Sequence, residues 1–289
     1  MGSWVIHKFG GSSVADAQKY KNVAKIVAAE SGAKKAIVVS AMSKVTDALI
    51  EVADLAKAQN PAYLEKLEAV KVRHIQTVQK LLHANRQNEV IAVLETDFKN
   101  LKEILLSVWH VRSYSDRIFE LVSGHGELWS AQLLNAYLQS QGVASSWLDA
   151  RQVLLVEPDE TSVRVIWDDS IALLGKWLKT NPTDLLVITG FVASTRDGSA
   201  TTLRRNGSDY SASIFGALLE ASAITIWTDV DGVLSADPRL VPEAVVLDDL
   251  SYQEATELAY FGAKVVHPST MAPAIRRQIP IWIRNSFNP

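Results

Sequence analysis

The chain has 289 residues, 48% of them apolar, with 29 basic against 32 acidic side chains and a net charge of -3. That length fits roughly two domains at ~150 residues each and lets about three quarters of the surface be buried. The charge balance excludes a basic nucleic-acid-binding surface or an acidic tail as a description of the whole. The absence of cysteine excludes disulfides, thiolate metal sites and cysteine nucleophiles. No apolar run approaches the ~20 residues of a membrane span, and the opening residues lack the cationic and apolar regions of a secretory signal. A soluble, cytoplasmic protein with no nucleic-acid or membrane partner is expected.

Short strand-like runs alternate with longer helical periods, the pattern of a mostly parallel sheet between helices in a three-layer α/β/α sandwich. Strands are expected at Trp4–Lys8, Ala36–Ser40, Ser145–Leu148, Leu185–Thr189, Ile224–Thr228 and Ile281–Arg284, several nearly continuous in Val and Ile as strands buried on both faces are. Tyr20, Val23, Ala24 and Val27 recur at i, i+3, i+4 and i+7, predicting a helix that Gly32 ends. From Thr46 to Leu121 strand signals are lacking, and Lys, Glu, Gln, Leu and Ala predict consecutive helices that leave the sheet, broken near Asn60-Pro61. A helix over Leu128 to Gln141 stops at Gly142. Ser251 and Glu254 form a capping box for a helix that places Ala255, Leu258 and Ala259 on one face before Gly262. No internal repeat, low-complexity segment or compositional domain boundary is visible.

Four turns and one helix start carry the candidate chemistry. After the first strand come Lys8-Phe9-Gly10-Gly11-Ser12-Ser13. Glycines let the backbone approach an anion, and a helix N-terminus offers free N–H donors, so the turn suits a phosphate; it also reads as a tight turn beside a surface lysine. It is neither a Walker A loop nor the dinucleotide fingerprint. Arg204-Arg205-Asn206-Gly207-Ser208-Asp209 precedes the apolar helix Ile214–Leu219. Arg205 there suits a two-pronged contact with a carboxylate, against the simpler reading that Ser208 or Asp209 caps the helix. The Asn206-Gly207-Ser208 sequon is discounted for want of any secretion signal.

Thr228-Asp229-Val230-Asp231-Gly232 follows a strand, where open α/β sheets bind ligands. It lacks the later glutamate of a calcium loop. Lys264 follows a helix, where a lysine ordinarily answers the helix dipole. Ser123-Gly124-His125-Gly126-Glu127 precedes a helical pattern, which puts Glu127 in a first turn, stabilised by the dipole or turned toward a ligand's ammonium. His125 has no partner at a recognisable spacing and no assigned role.

In order along the chain, Lys8–Ser13, Val39-Ser40-Ala41-Met42-Ser43, Gly124–Glu127, Arg205–Ala212, Thr228–Gly232, Asp237-Pro238-Arg239, Phe261–Val265 and Arg284–Phe287 resemble the catalytic domain of aspartate kinases, within the amino acid kinase family. The likeness covers essentially the whole chain. Trp147–Arg151 and Ile226–Asp229 look most like aspartate kinases fused to homoserine dehydrogenase or diaminopimelate decarboxylase.

The resemblance implies transfer of the ATP γ-phosphoryl group to the side chain of L-aspartate, giving 4-phospho-L-aspartate, the first step toward lysine, threonine and methionine. Glutamate, N-acetylglutamate or a nucleoside monophosphate as acceptor, and a non-catalytic remnant of a fusion, are the alternatives. It further implies that Lys8 holds the transferring group, with Gly10, Gly11 and Ser12 beside its path, and that Lys264 meets the nucleotide phosphates from the other side. Asp209 orients the lysines. Ser40, Thr46, Glu127, Arg205 and Ser208 match aspartate-binding positions, and Thr228, Asp229 and Arg239 the ATP-binding loop. Mg²⁺ rides mainly on the ATP phosphates, its protein ligands unassigned. Residues 1–200 form an aspartate-side lobe and 201–289 an ATP-side lobe.

Two positions depart from the family pattern: Leu234 stands where many members have tyrosine, and Arg204 where glycine is common. In the family a pair of ACT domains follows, and this chain stops where they would begin, which implies a trimmed or an unregulated form with weak or no feedback inhibition. Assembly is left open.

Overall fold

The computed structural model describes residues 3–30, 32–159, 163–204, 206–236, 241, 243–260 and 268–289. Chain order gives β1 (Trp4–Phe9), α1 (Ala17–Ala29), β2 (Lys34–Val39), α2 (Val45–Lys57), α3 (Ala62–Leu81), α4 (Ala84–Val111), α5 (Asp116–Ser140) and β3 (Ser146–Leu148). The second half adds β4 (Val156–Pro158), β5 (Val163–Val165), α6 (Trp167–Thr180), β6 (Leu185–Thr189), β7 (Val192–Ser194), β8 (Ala200–Thr202), α7 (Gly207–Leu218), β9 (Ala223–Thr228), α8 (Tyr252–Tyr260), α9 (Pro268–Arg276) and β10 (Ile281–Asn285). All six expected strands form, each displaced by no more than two residues at either end. They pair in the order β10-β9-β1-β2-β6-β3, every pair parallel.

Side-chain alternation along the strands divides the interior into two cores. Phe9, Ile37, Val39 and Val187 face the core shared with α1 to α5, while Ile6, Ala36, Val38, Leu186 and Ile188 face the one shared with α6, α7 and α9. The sheet is therefore the middle of three layers, as expected. The antiparallel pairs β4–β5 and β7–β8 lie outside it and have no counterpart among the expected strands. Each strand there is only three residues long, too short for an alternation to be read.

Several local expectations hold. The break near Asn60-Pro61 separates α2 from α3. Gly142 has φ +78 just beyond α5, and Gly32 has φ +91 in the turn after α1. The capping box is reciprocal: Glu254 N–H donates to Ser251 Oγ at 3.2 Å and Ser251 N–H to Glu254 Oε2 at 2.8 Å.

Others need correction. The helix expected at Leu128 is the second half of α5, which starts at Asp116, so the helical excursion runs past Leu121 to Ser140. Ser123 to Glu127 thus lie inside a helix, not before one. Gly10 to Ser13 lead first into a short 3₁₀ turn, Gly11–Val14, and only then into α1, which Asp16 caps by accepting Lys19 N–H at 3.0 Å. The helix expected at Ile214 begins at Gly207, and its cap position is Asn206, held at φ 55, so neither Ser208 nor Asp209 is the cap.

Candidate active site

The C-terminal ends of the parallel strands converge on one face, where chain reversals bring distant residues together. Lys8 near the end of β1 is buried, and its Nζ lies 2.5 Å from Asp209 Oδ1 in the first turn of α7. The same Nζ is 3.6 Å from where a Cβ on Gly10 would sit, so the lysine folds back over the glycine turn. Behind that turn, Ser40 N–H donates to Phe9 O at 3.1 Å and Ser43 N–H to Gly11 O at 3.1 Å, tying it to the exit of β2.

Glu127 approaches from α5. Glycine inside a helix ordinarily costs stability, but two glycines here permit contact. A Cβ on Gly124 would stand 2.8 Å from Val192 Cγ1, and one on Gly126 would stand 2.8 Å from Ala41 Cβ and 2.9 Å from Val45 Cγ1. Close packing of α5 on the start of α2 sinks the Glu127 carboxyl below the surface. It is 4% exposed and accepts a long hydrogen bond of 3.5 Å from Thr46 Oγ1; its Oε2 has no hydrogen-bond partner among the described residues. Burial pushes its pKa up to about 8, against the opposing pull of the Ala41 and Glu127 backbone N–H groups, Thr46 and the charge of Lys8.

Lys8, Ser40, Thr46, Glu127, Ser208 and Asp209 line one cavity of about 610 Å³. Gly10 lies at its edge, and Gly11 and Ser12 continue the same turn. Thr228 and Asp229 do not line this cavity. They sit beyond β9, with Thr228 Oγ1 donating to Asp229 Oδ1 at 3.1 Å, and reach the glycine turn through the neighbouring Trp227, whose carbonyl accepts Gly10 N–H at 3.4 Å. Arg205, Arg239 and Lys264 lie outside the described residues.

The cavity also takes in Asp47, Asp116, Glu120 and Phe191, which were not anticipated, and Arg204 of the candidate turn before α7. Asp116 and Glu120 stand at i-11 and i-7 from Glu127 and so share its face of α5, a spacing readable only once the helix is known to start at Asp116. Phe191 is held at φ 69; its N–H donates to Ser211 Oγ at 2.9 Å and its carbonyl accepts Leu203 N–H at 2.7 Å. A Cβ on Gly207 would meet Phe191 Cδ2 at 2.6 Å, so the bare glycine at the start of α7 is what lets the ring lie there. His125 donates Nδ1–H to Leu121 O at 2.7 Å, along its own helix, and does not line the cavity. Burial lowers its pKa, which suits a structural side chain.

Chemically, the arrangement offers a lysine and a run of backbone donors where an anion approaches, beside a buried carboxyl whose free oxygen would gain from a cationic partner. Among the described residues no group of three or more His, Cys, Asp or Glu gathers as a metal centre, and no helix is long and apolar enough to cross a membrane.

Such a sheet, with a lysine and a glycine turn at its carboxyl edge, is suited to receive an anion, and the chain belongs to the amino acid kinase family, whose family model matches residues 3–285. Within it, the chain is 46% identical over 286 residues to bifunctional aspartokinase/homoserine dehydrogenase 2, chloroplastic, of Arabidopsis thaliana, covering 99% of this chain and 31% of that protein. It is 38% identical to bifunctional aspartokinase/homoserine dehydrogenase 2 of Escherichia coli, covering 98% of this chain and 34% of that one. The chain thus spans about a third of the length of these relatives. Among solved structures, E. coli aspartokinase III in complex with aspartate and ADP superposes with a TM-score of 0.89 at 32% identity, covering 99% of this chain and 62% of that one.

Proposed function

We propose that this chain catalyses ATP-dependent phosphorylation of the side-chain carboxylate of L-aspartate to 4-phospho-L-aspartate. The observation that carries the reading is Glu127: a buried carboxyl with an open oxygen, lining the same cavity as a lysine, fits the ammonium of an amino acid better than an N-acylated or nucleotide acceptor. The relatives named aspartokinase, and the E. coli enzyme crystallised with aspartate and ADP, support the same choice.

In the proposed reaction a side-chain carboxylate oxygen of aspartate attacks the γ-phosphorus. The bond from that phosphorus to the β,γ-bridging oxygen breaks, and its electron pair leaves on ADP. With a carboxyl pKa near ~3.9 the acceptor is already ionised at neutral pH, so no base is required, and no histidine base is needed in the cavity. What remains for the protein is to align two anions and offset their repulsion.

Lys8 takes the transferring group in this reading, steadied by Asp209, with Gly10, Gly11 and Ser12 lining its path and the N–H groups of Gly11 and Ser12 as donors. Lys264 meets the nucleotide phosphates from the opposite side. Glu127 receives the substrate ammonium and Arg205 its α-carboxylate, while Ser40, Thr46 and Ser208 surround the reacting end. Thr228, Asp229 and Arg239 hold ATP, so residues 1–200 form most of the aspartate side, joined by Arg205, Ser208 and Asp209, and the rest of 201–289 most of the ATP side. Asp209, 2.5 Å from Lys8 Nζ, is the carboxylate that would face Mg²⁺ carried on the ATP phosphates, and the ion would offset their charge. A longer polypeptide carrying homoserine dehydrogenase, as in the bifunctional relatives, is the proposed setting.

A hydroxamate assay with ATP and a panel of aspartate, glutamate, N-acetylglutamate and UMP tests the reading. Acyl-phosphate formation from aspartate alone is expected. Preference for glutamate would overturn the substrate, and no turnover of any acceptor would overturn the activity.

A further inference from the structure

Ser13 and Ser286, 273 residues apart, meet with their hydroxyl oxygens 2.8 Å from each other, both side chains buried. Each hydroxyl has one proton to give. Ser286 Oγ donates its own to the Thr228 carbonyl at 3.1 Å, so the proton between the two serines belongs to Ser13. The result is a directed relay from Ser13 to Ser286 to the Thr228 carbonyl, which also accepts Ser286 N–H at 2.8 Å. Neighbouring residues grip the same surroundings. Asn285 Nδ2 donates to Asp231 Oδ1 at 2.8 Å, and Lys19 Nζ of α1 lies 3.3 Å from the centre of the Phe287 ring.

The parallel ladder aligns β1 with β9 as far as Phe9 and Trp227, and β10 with β9 as far as Asn285 and Thr228. Past those residues two backbone hydrogen bonds remain, Gly10 N–H to the Trp227 carbonyl at 3.4 Å and Ser286 N–H to the Thr228 carbonyl at 2.8 Å, and neither joins the 3₁₀ turn at Ser13 to β10. The hydroxyl relay adds that side-chain tie, next to the loop that begins at Asp229.

We propose that Asn285–Ser286–Phe287 is a staple that sets the spacing between the phosphate-facing glycine turn and the loop after β9, with Ser13 and Ser286 as positioning residues for ATP. This rests on the proposed ATP-binding reading and extends it to residues that touch neither substrate. The staple lies away from the acceptor cavity, so it acts on one substrate and not the other.

The test compares the wild-type chain with Ser286→Ala, Ser13→Ala, the double variant and Ser286→Thr. The readouts are the Kd of Mg-ATP by calorimetry, KM for each substrate and Tm. Each alanine variant is expected to raise Kd and KM for ATP about three- to tenfold, the scale of one lost neutral hydrogen bond, with KM for aspartate within about twofold of wild type. The double variant is expected to be no worse than either single one, because both break the same relay. Ser286→Thr, which keeps the hydroxyl, restores ATP binding. Unchanged ATP binding in the alanine variants, equal effects on both substrates with a fall in Tm, or additive single effects would each overturn the staple. If the wild-type chain itself binds no Mg-ATP, the underlying reading falls and the staple with it. If the wild type binds and the alanine variants bind equally well, only the staple falls.

Discussion

The proposed acceptor cavity and the proposed nucleotide edge meet at Lys8 but are made of different materials. On the acceptor side the groups are charged or chargeable and are carried by helices: Glu127 deep on α5, Asp209 in the first turn of α7, with Lys8 bridging toward both. On the nucleotide side, between Gly10 and Ser286, the contacts among the described residues are mainly backbone amides and hydroxyls at strand ends, the cations proposed there, Arg239 and Lys264, lying outside those residues. Helices packed closely enough to need bare glycines can bury a carboxyl, and a buried carboxyl responds strongly to the charge of what enters. Strand-end amides and hydroxyls carry no net charge; they order an anion without committing the protein to a protonation state. One side therefore selects by ionisation and the other by alignment.

The largest effect should come where the two sides touch. Lys8→Ala is expected to keep the fold by circular dichroism and to lower kcat by about 10³ or more, because a preorganised charge at the transferring group is lost. Near-normal turnover would show that the two sides do not meet at this lysine.

Glu127→Gln separates the sides. It preserves shape and removes the charge that answers the ammonium, so KM for aspartate should rise about 10²-fold, the scale of a charge-assisted hydrogen bond lost in a dry setting, while KM for ATP moves far less. Equal changes in both constants would break the division.

Gly126→Ala tests whether packing makes the acceptor side what it is. The added methyl would stand 2.8 Å from Ala41 Cβ and 2.9 Å from Val45 Cγ1, so α5 or α2 must give way. Thermal or urea unfolding should show a loss of about 1–3 kcal/mol, and KM for aspartate should rise as the Glu127 carboxyl shifts. A neutral result would mean the helices have slack that their contact distance denies.

The pH response sharpens the contrast further. Burial holds Glu127 near 8 in the folded chain, against an ordinary value of 4.5. A carboxyl raised in this way favours folding where both states are protonated, below about 4.5, and that advantage is lost progressively as pH rises toward 8. The substrate ammonium favours the ionised form, so aspartate binding below pH 8 should expel a proton. Its affinity should then improve by up to about tenfold per pH unit until the folded value is passed. Calorimetry in two buffers of different ionisation enthalpy measures that proton. None is expected in Glu127→Gln, and a pH-independent wild type would remove ionisation from the acceptor side.

The sheet was largely legible in the sequence because its strands are buried on both faces, and Val and Ile runs such as Ala36 to Val39 have no competing reading. The pairs β4–β5 and β7–β8 escaped because three residues show no period. Glu127 was singled out as a ligand-facing acid but placed wrongly, since Gly124-His125-Gly126 reads as a turn until the contacts with Val192, Ala41 and Val45 explain the glycines. That misplacement also hid Asp116 and Glu120, whose registry with Glu127 appears only along a continuous helix. The Ser13–Ser286 contact had no local signal, because nothing in either segment announces a partner 273 residues away.

The smallest change expected is also the most selective. Thr46→Val is close in shape and removes a single hydroxyl, whose bond to Glu127 is long at 3.5 Å, so KM for aspartate at neutral pH should rise only about threefold. That hydroxyl is one of the groups holding the Glu127 pKa down, so its loss should move the pH at which aspartate affinity levels off upward. The two routes by which Thr46 can matter then separate. If it acts only through the charge on Glu127, the deficit disappears once the pH is high enough to ionise the carboxyl in both proteins. If its hydroxyl also meets the acceptor, as the proposed reaction has it, the deficit persists on the alkaline side. A KM that returns to the wild-type value there would move Thr46 out of the acceptor contacts and leave it as a residue that tunes Glu127.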